Sequence, residues 1–247
     1  MWCISLAVSV LALTATATLA QEQPQGFSAG LGVAGGTSIY MGEDTTATAL
    51  PILRYESDAF SVSLPEGLRV TLLDRDTFRL SAVASPRLSD IDASDAPELA
   101  GLDREITVDG GLQARYRFGR GTELRFRGVT ELTDEHGGGE IGLSVAQALP
   151  LGRVPVFLGG GVTWQSEDLA DYLYGVSATE ATATRPAYSP GEVIIPYLSI
   201  GTAVPISDRT RFIANVRAEF LPEDVTDSPI VDEDVALRAF IGVSFSF

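Results

Sequence analysis

The chain has 247 residues, with 17 Arg, no Lys, 33 Asp plus Glu and one His, for a formal charge of −16. Hydrophobic residues make up 45% and the mean hydropathy is +0.17, which gives ample apolar material to bury and argues against disorder. After residue 20 no apolar run approaches the ~18–20 residues of a spanning helix. Nucleic acid is a poor partner for so acidic a surface, and the single Cys, Cys3, rules out a disulfide framework.

Residues 4–20, ISLAVSVLALTATATLA, are apolar or small and carry no charge. Thr18-Leu19-Ala20 puts small residues at positions −3 and −1 of a cleavage site before Gln21, and Ala15-Thr16-Ala17 offers a second site. The segment 1–20 therefore reads as a cleaved signal peptide. That leaves 21–247 as one exported domain without Cys, as suits an oxidising compartment beyond the inner membrane.

From there the chain repeats with period two. Strands are predicted at 27–35, 47–56, 59–64, 67–73, 77–87, 106–118, 122–132, 139–149, 154–165, 192–204, 211–220 and 235–247. In 77–87 Phe78, Leu80, Ala82 and Ala84 oppose Arg79, Ser81, Ser85 and Arg87. In 106–118 Ile106, Val108, Leu112, Ala114, Tyr116 and Phe118 oppose Asp109, Gln113, Arg115 and Arg117. Segments 122–132, 211–220 and 235–247 alternate in the same way, so each strand has one apolar and one polar face. Short turns (Glu56-Ser57-Asp58, Gly119-Arg120-Gly121, Pro205–Asp208) alternate with longer acidic loops at 37–46, 88–104, 166–191 and 221–234.

A soluble sandwich would also alternate. The combination of export signal, strands of ~9–13 residues, loop asymmetry and a terminal Phe instead predicts an all-β fold, a closed antiparallel transmembrane β-barrel in the outer membrane of a Gram-negative bacterium. Twelve strands are expected, or ten if the short pair around Pro65-Glu66-Gly67 fails to cross. Phe245 and Phe247 have the character of a barrel-assembly signal.

An arginine on the lipid face would cost ~2–4 kcal/mol near the midplane. That forces the register in which Arg69, Arg79, Arg115, Arg117, Arg125, Arg127, Arg211, Arg217 and Arg238 point into the lumen, joined by Asp109, Glu123, Glu131, Glu140 and Glu219. There they form either a charged constriction for small solutes or a paired polar filling that closes the lumen. The acidic loops (Glu43, Asp44, Asp90, Asp92, Asp95, Glu167, Asp168, Asp171, Glu223, Asp224 among others) read as solvated charge, or as groups sharing divalent cations with lipopolysaccharide.

No catalytic or cofactor constellation stands out. His136 sits in a Gly-rich turn with no local Ser, a metal set lacks ligands, and Gly159-Gly160-Gly161 is not followed by the Lys of a phosphate loop. Those glycines read as relief of crowding in the wall. Loop 166–191 is a candidate plug, with 176–184 as a possible helix.

Two stretches resemble a known family. Asp171-Tyr172-Leu173-Tyr174-Gly175-Val176-Ser177, continuing through Tyr188 to Gly191, looks like a loop motif of the MipA/OmpV outer-membrane family, and SPIVDEDVALRAFIGVSFSF looks like its C-terminal ending. Pro51-Ile52-Leu53-Arg54-Tyr55 is similar to its Pro-initiated strand. Tyr40-Met41-Gly42-Glu43 departs from the family's Tyr-Xaa-Gly-Ser element. The resemblance implies a non-enzymatic scaffold without a cofactor, contacting a lytic transglycosylase and a penicillin-binding protein and so coupling murein breakdown to synthesis. It implies, as the alternative, a narrow porin-like channel. A scaffold would use the periplasmic turns 119–121, 150–153 and 205–209.

Overall fold

The structure, a computed structural model, describes residues 25–43, 45–88, 91, 96–102, 104–152 and 154–247. The expected export signal lies outside the described residues, as do Asp44, Asp90, Asp92 and Asp95. Twelve described strands close into one antiparallel barrel: β1 (Gly26–Gly36), β2 (Thr46–Glu56), β3 (Phe60–Leu64), β4 (Gly67–Asp74), β5 (Phe78–Arg87), β6 (Thr107–Phe118), β7 (Thr122–Glu131), β8 (Gly139–Leu151), β9 (Val154–Gln165), β10 (Val193–Pro205), β11 (Thr210–Phe220) and β12 (Val235–Ser246). Every strand pairs with its sequence neighbour, and β1 closes the cylinder on β12 from Ser28↔Ser246 to Gly36↔Arg238. Closure satisfies the backbone wherever the strands are paired, which a lipid-exposed sheet requires.

The described loop residues that follow β1, β5, β7, β9 and β11 share one end, the outer one. The turns at 57–59, 75–77, 119–121, Gly152 and 206–209 share the other with the start of β1 and the end of β12. The outward parity is apolar and exposed: Leu31, Leu112, Leu143, Leu198 and Ile241 are all open to the surroundings, as a lipid-facing band requires. Aromatic rings gather at the turn end. Phe27 meets Phe247 at 5.6 Å between centroids, Tyr55 meets Phe60 at 5.6 Å, Tyr116 meets Phe118 at 5.9 Å and Phe245 meets Phe247 at 5.2 Å. They form one interfacial girdle.

The inward face is not uniformly polar. Phe240 is buried inside β12, and the absence of side chains at Gly32 and Gly242 makes room for it: a Cβ on Gly32 would fall 2.5 Å from its ring. Near the turn end Ala148, Phe157 and Ala203, on the neighbouring strands β8, β9 and β10, pack together on the inner wall.

The β3–β4 hairpin belongs to the barrel but is short. β3 pairs with β2 only from Leu53↔Leu64 to Glu56↔Ser61, and β4 pairs with β5 only up to Leu68↔Ala84. The cis Leu64-Pro65 bond sits at its tip. Twelve strands are therefore present, yet one hairpin stops part-way up the wall.

At the outer end the loops fold over the mouth. Helix α1 (Glu167–Tyr174), a short 3-10 turn (Pro97–Leu99) and α2 (Glu223–Thr226) pack a hydrophobic cluster that includes Ile39, Tyr40, Leu99, Leu102, Ala170, Tyr174, Val176, Val225, Ile230 and Val231, resting on Val193, Ile195 and Ala236 of the strands. The helix in the plug-candidate loop is 167–174, not 176–184. Ser166 caps it by accepting from Leu169 N–H, Glu167 and Asp168 occupy its positive end, and Leu169, Ala170 and Tyr174 supply a buried stripe. The 177–184 stretch is Ser/Thr-rich with Pro186 close behind, so its hydroxyls compete for backbone bonds and it forms turns.

Candidate functional site

Strand parity carries the charged side chains inward, and the register decides which of them meet. In the outer half of the lumen Arg87 on β5 donates to Asp109 on β6 (Nε, 2.9 Å; closest Nη2 approach 2.7 Å) and to Glu140 on β8 (3.1 Å). Arg127 on β7 approaches Glu140 at 3.7 Å and donates to Ser85 Oγ at 2.6 Å. One carboxylate from β8 thus ties two arginines across the interior.

Lower down, Arg115 lies opposite both Arg79 and Arg125 in the ladders. Gln113, with its amide oxygen turned towards Arg115, accepts from Nε at 2.9 Å and Nη2 at 3.1 Å. Arg125 pairs with Glu123 at 2.7 Å. Arg54 of β2 pairs with Glu66 at the hairpin tip at 2.6 Å, and Arg69 reaches the same carboxylate only at 3.9 Å. A third group crosses the far wall: Glu219 holds Arg217 at 2.7 Å and Arg238 at 3.5 Å, and the Arg217 guanidinium lies 3.5 Å over the Tyr197 ring. Gly161 seats that ring, since a Cβ there would fall 2.9 Å from Tyr197 Cζ.

These groups surround a cavity of about 250 Å³. Of the fourteen sequence-stated lumen candidates, Arg69, Asp109, Arg125, Arg127, Glu140, Arg217, Glu219 and Arg238 line it. Glu123 and Arg115 stand beside it through their contacts with Arg125 and Gln113. Arg79, paired with Asp74 at 2.7 Å, and Arg117, opposite Glu123, sit at the turn-end mouth, and Arg211, second in β11, lies there opposite Pro205 and Ser244. Glu131 turns away from the cavity into its own loop. Its carboxylate accepts from the hydroxyl of Thr133 and from the backbone N–H groups of Thr133 (2.7 Å), Glu135 and His136 (3.0 Å each) and Gly137 (2.8 Å). The reason is position: Glu131 is the last residue of β7, so loop amides outcompete arginines one turn below.

Three participants are missing from the lumen set read from the sequence, although alternation had already put Arg87 on the polar face of 77–87. Arg87 shares the parity of Arg79 and was legible from that alone. Arg54 alternates with Leu53 and Tyr55 and was legible in the same way. Glu66 was not, because a turn residue enters the lumen only where the hairpin stops short.

The 171–191 stretch clamps the cap. Val176 and Tyr188 bridge through two backbone bonds of 2.9 Å. Tyr188 Oη donates to Asp224 O at 2.9 Å, and Tyr172 Oη donates to Glu105 O at 2.9 Å. Gly175 accommodates the Asp171 carbonyl, which a Cβ would approach to 2.5 Å, and Gly191 takes a left-handed φ of +69°. Ser177 N–H donates to Glu180 Oε2 at 2.8 Å, and Arg104 donates to Glu180 Oε1 at 2.5 Å. Burial would raise the Glu180 pKa, but the Arg104 and Ser177 hydrogen bonds outweigh it and hold it down at about 2. Buried Arg185 donates to three carbonyls: Glu98 at 2.7 Å, Ala100 at 3.0 Å and Glu180 at 2.8 Å.

His136 packs against Tyr172 with the ring centroids 4.7 Å apart and the planes tilted by 31°, and its Nδ1 accepts from Gly138 N–H at 3.0 Å. Burial lowers its pKa and raises that of Tyr172 to about 12. Both groups pack the cap.

Against known proteins, the profile of the family described as MltA-interacting protein MipA matches residues 29–247. The chain is 28% identical over 242 residues to the putative outer membrane protein YiaT of Escherichia coli K12, covering 97% of this chain and 98% of that one. It is 29% identical over 209 residues to the outer membrane protein OmpV of Vibrio cholerae (83% and 80%), and 27% identical over 245 residues to the MltA-interacting protein of E. coli K12 (98% of each). Among solved structures, an outer membrane channel from Pseudomonas putida F1 aligns with a TM-score of 0.48 at 11% identity (92% and 97%), and the monoaromatic hydrocarbon channel CymD with 0.46 at 10% (97% and 94%). Barrel closure, outward apolar parity and a family match running from β1 to the final Phe agree: the chain is an outer-membrane β-barrel and belongs to the MltA-interacting protein family, MipA/OmpV.

Proposed function

We propose that this barrel is a non-enzymatic scaffold of the envelope, anchored in outer-membrane lipid and lipopolysaccharide, that holds a murein lytic transglycosylase, and with it a penicillin-binding protein, at its periplasmic rim. The observation that carries this reading is the hydrophobic cap. Loops from four connections would have to unpack a cluster of buried side chains before solute could pass along the axis from outside. The name of the E. coli relative supports the choice of enzyme. The contact surface is the ring of turns 57–59, 75–77, 119–121, Gly152 and 206–209 taken together. A stable interface needs about 800 Å² per partner, more than any one turn offers. Pull-down of lytic transglycosylase by the purified barrel, lost when 206–209 and 119–121 are replaced by Gly-Ser, tests it. Retention of the enzyme by the altered barrel refutes the assignment of the rim.

A narrow porin-like channel is the second reading, supported by the arginine-lined cavity. Planar bilayers separate the two. Stable conductance steps that change on substitution of Arg115 or Arg125 favour the channel, and silence favours the capped scaffold.

A further inference from the structure

The short hairpin leaves a gap in the wall. β2 continues outward as Thr46–Ile52 beyond its last pairing with β3, and β5 continues as Ser85–Arg87 beyond its last pairing with β4. Among the described residues no strand joins these two edges. With strands about 4.8 Å apart, the two missing strands leave up to about 14 Å between the β2 and β5 backbones above the tip.

The edges are chemically prepared for this. Phe247 N–H bonds Phe27 O, and Thr37 N–H bonds Leu237 O, so odd residues of β1 face β12 and even residues face β2. Through Gly30↔Ile52 the even residues of β2 face β1, and the odd ones, Ala47, Ala49 and Pro51, face the gap. Likewise Arg117 N–H bonds Thr77 O, so odd residues of β5 face β6 and Pro86 faces the gap. Both strands therefore place a proline, which has no N–H to leave unsatisfied in lipid, at a gap-facing position. The same prolines discourage a second copy from adding a strand there.

The interior cavity reaches this opening. Pro65, Leu68, Pro86 and Leu88 line it together with Arg69 and Arg87, although Leu68 and Pro86 belong to the outward parity. Around the cavity six arginines face four carboxylates, in a protein whose overall charge is −16. Arg54 and Arg125 lie within Coulombic reach of Arg69, whose nearest carboxylate, that of Glu66, is 3.9 Å away. The axial mouth is capped.

We infer that the gap between β2 and β5 is a side opening to the outer leaflet, and that the cavity behind it takes a single-chain amphiphilic anion, its acid head among the arginines and its alkyl chain passing out through the opening. A carboxylate or phosphate head suits guanidinium forks, and the Ala, Pro and Leu rim suits the chain.

Calorimetric titration of the purified barrel in neutral maltoside micelles tests this, with decanoate as probe and empty micelles as blank. Heat-modifiable gel migration confirms that each variant is folded. Saturable one-to-one binding of decanoate is expected, rising about fourfold per methylene from octanoate. Acetate, which has the head alone, and decanol, which has the chain alone, bind at least about tenfold more weakly. Arg69→Gln and Arg125→Gln each weaken decanoate by about tenfold, and Ala49→Trp or Pro86→Trp, which crowd the opening, weaken decanoate while leaving acetate unchanged. Decanoate heats equal to the micelle blank overturn the proposal. So does equal affinity for acetate and decanoate, which would mean an anion site without a side opening. Undiminished binding by both Trp variants, or a dimer dissociated by them, also overturns it, the latter because the edge would then belong to a second copy.

Discussion

Arg185 is where the cap is most open to attack. Its guanidinium is buried and ties loop 176–191 to the Pro97–Leu99 turn through Glu98 O and Ala100 O, and to its own loop through Glu180 O. A hydrogen bond to a charged donor is worth about 1.5–3 kcal/mol net. Three of them, offset by the cost of holding a guanidinium away from water, leave about 3 kcal/mol lost in Arg185→Ala. Since each 1.36 kcal/mol is tenfold, cap opening should become about 150-fold more frequent. Hydrogen exchange resolved by peptide reads it directly. The amides of Val176 and Tyr188, which bond each other's carbonyls at 2.9 Å, should exchange about 150-fold faster, while the β7–β8 and β11–β12 ladders keep their protection. Arg185→Lys should fall between, because one ammonium cannot fork to three carbonyls. Unchanged exchange at Val176 and Tyr188, or equal loosening of the ladders, would refute the view that the cap is a separately opening unit pinned at this residue.

Other consequences can be measured on the same preparation. Gly161→Ala should lower the thermal midpoint of the heat-modifiable gel shift, by a destabilisation of about 1–3 kcal/mol, because the new Cβ would lie 2.5 Å from Leu143 O. Gly142→Ala, with nothing within 4 Å, should leave the midpoint unchanged. Glu140→Gln should destabilise the barrel in urea by about 1–3 kcal/mol, less than a fully broken buried pair, because Arg87 keeps Asp109. Glu223→Gln, at the exposed first residue of α2, should not. Glu180, with its pKa held at about 2, stabilises the cap fully above the ordinary carboxylate range and loses that contribution as pH falls through it towards 2. The protection factor at Ser177, exchange relative to the intrinsic rate at the same pH, should therefore fall as pH drops below about 4.5, and Glu180→Gln should abolish that fall. Phe247→Ala should reduce the barrel's abundance in outer-membrane fractions while the refolded protein stays within about 1 kcal/mol of wild type, since the ring is largely exposed and meets the rings of Phe27 and Phe245. An unchanged abundance would remove the assembly role assigned to Phe245 and Phe247.

Much of this architecture was written in the order of residues. Side chains alternate across a strand with period two, and an arginine in hydrocarbon is costly, so the outward face of β6 or β12 could be read without coordinates. The twelve segments, the turn end and the loop end followed from the same alternation and from where Gly and acidic residues interrupt it. Even the inward parity of Arg54 and Arg87 was available.

What alternation cannot carry is distance around the cylinder. Glu140 lies 53 residues from Arg87 and meets it only because β5 and β8 curve towards a common interior, and Glu131 shares the parity of its neighbours yet spends its carboxylate on loop amides above them. The cap is likewise a tertiary product, since Tyr40, Leu99, Tyr174 and Val231 come from four loops with no common pattern. The side opening depends on where a hairpin stops. Pro51 and Pro86 each look like a blemish in an otherwise regular strand until the register sets both on the free edges, because backbone direction, unlike side-chain direction, is fixed only once a strand has or lacks a neighbour.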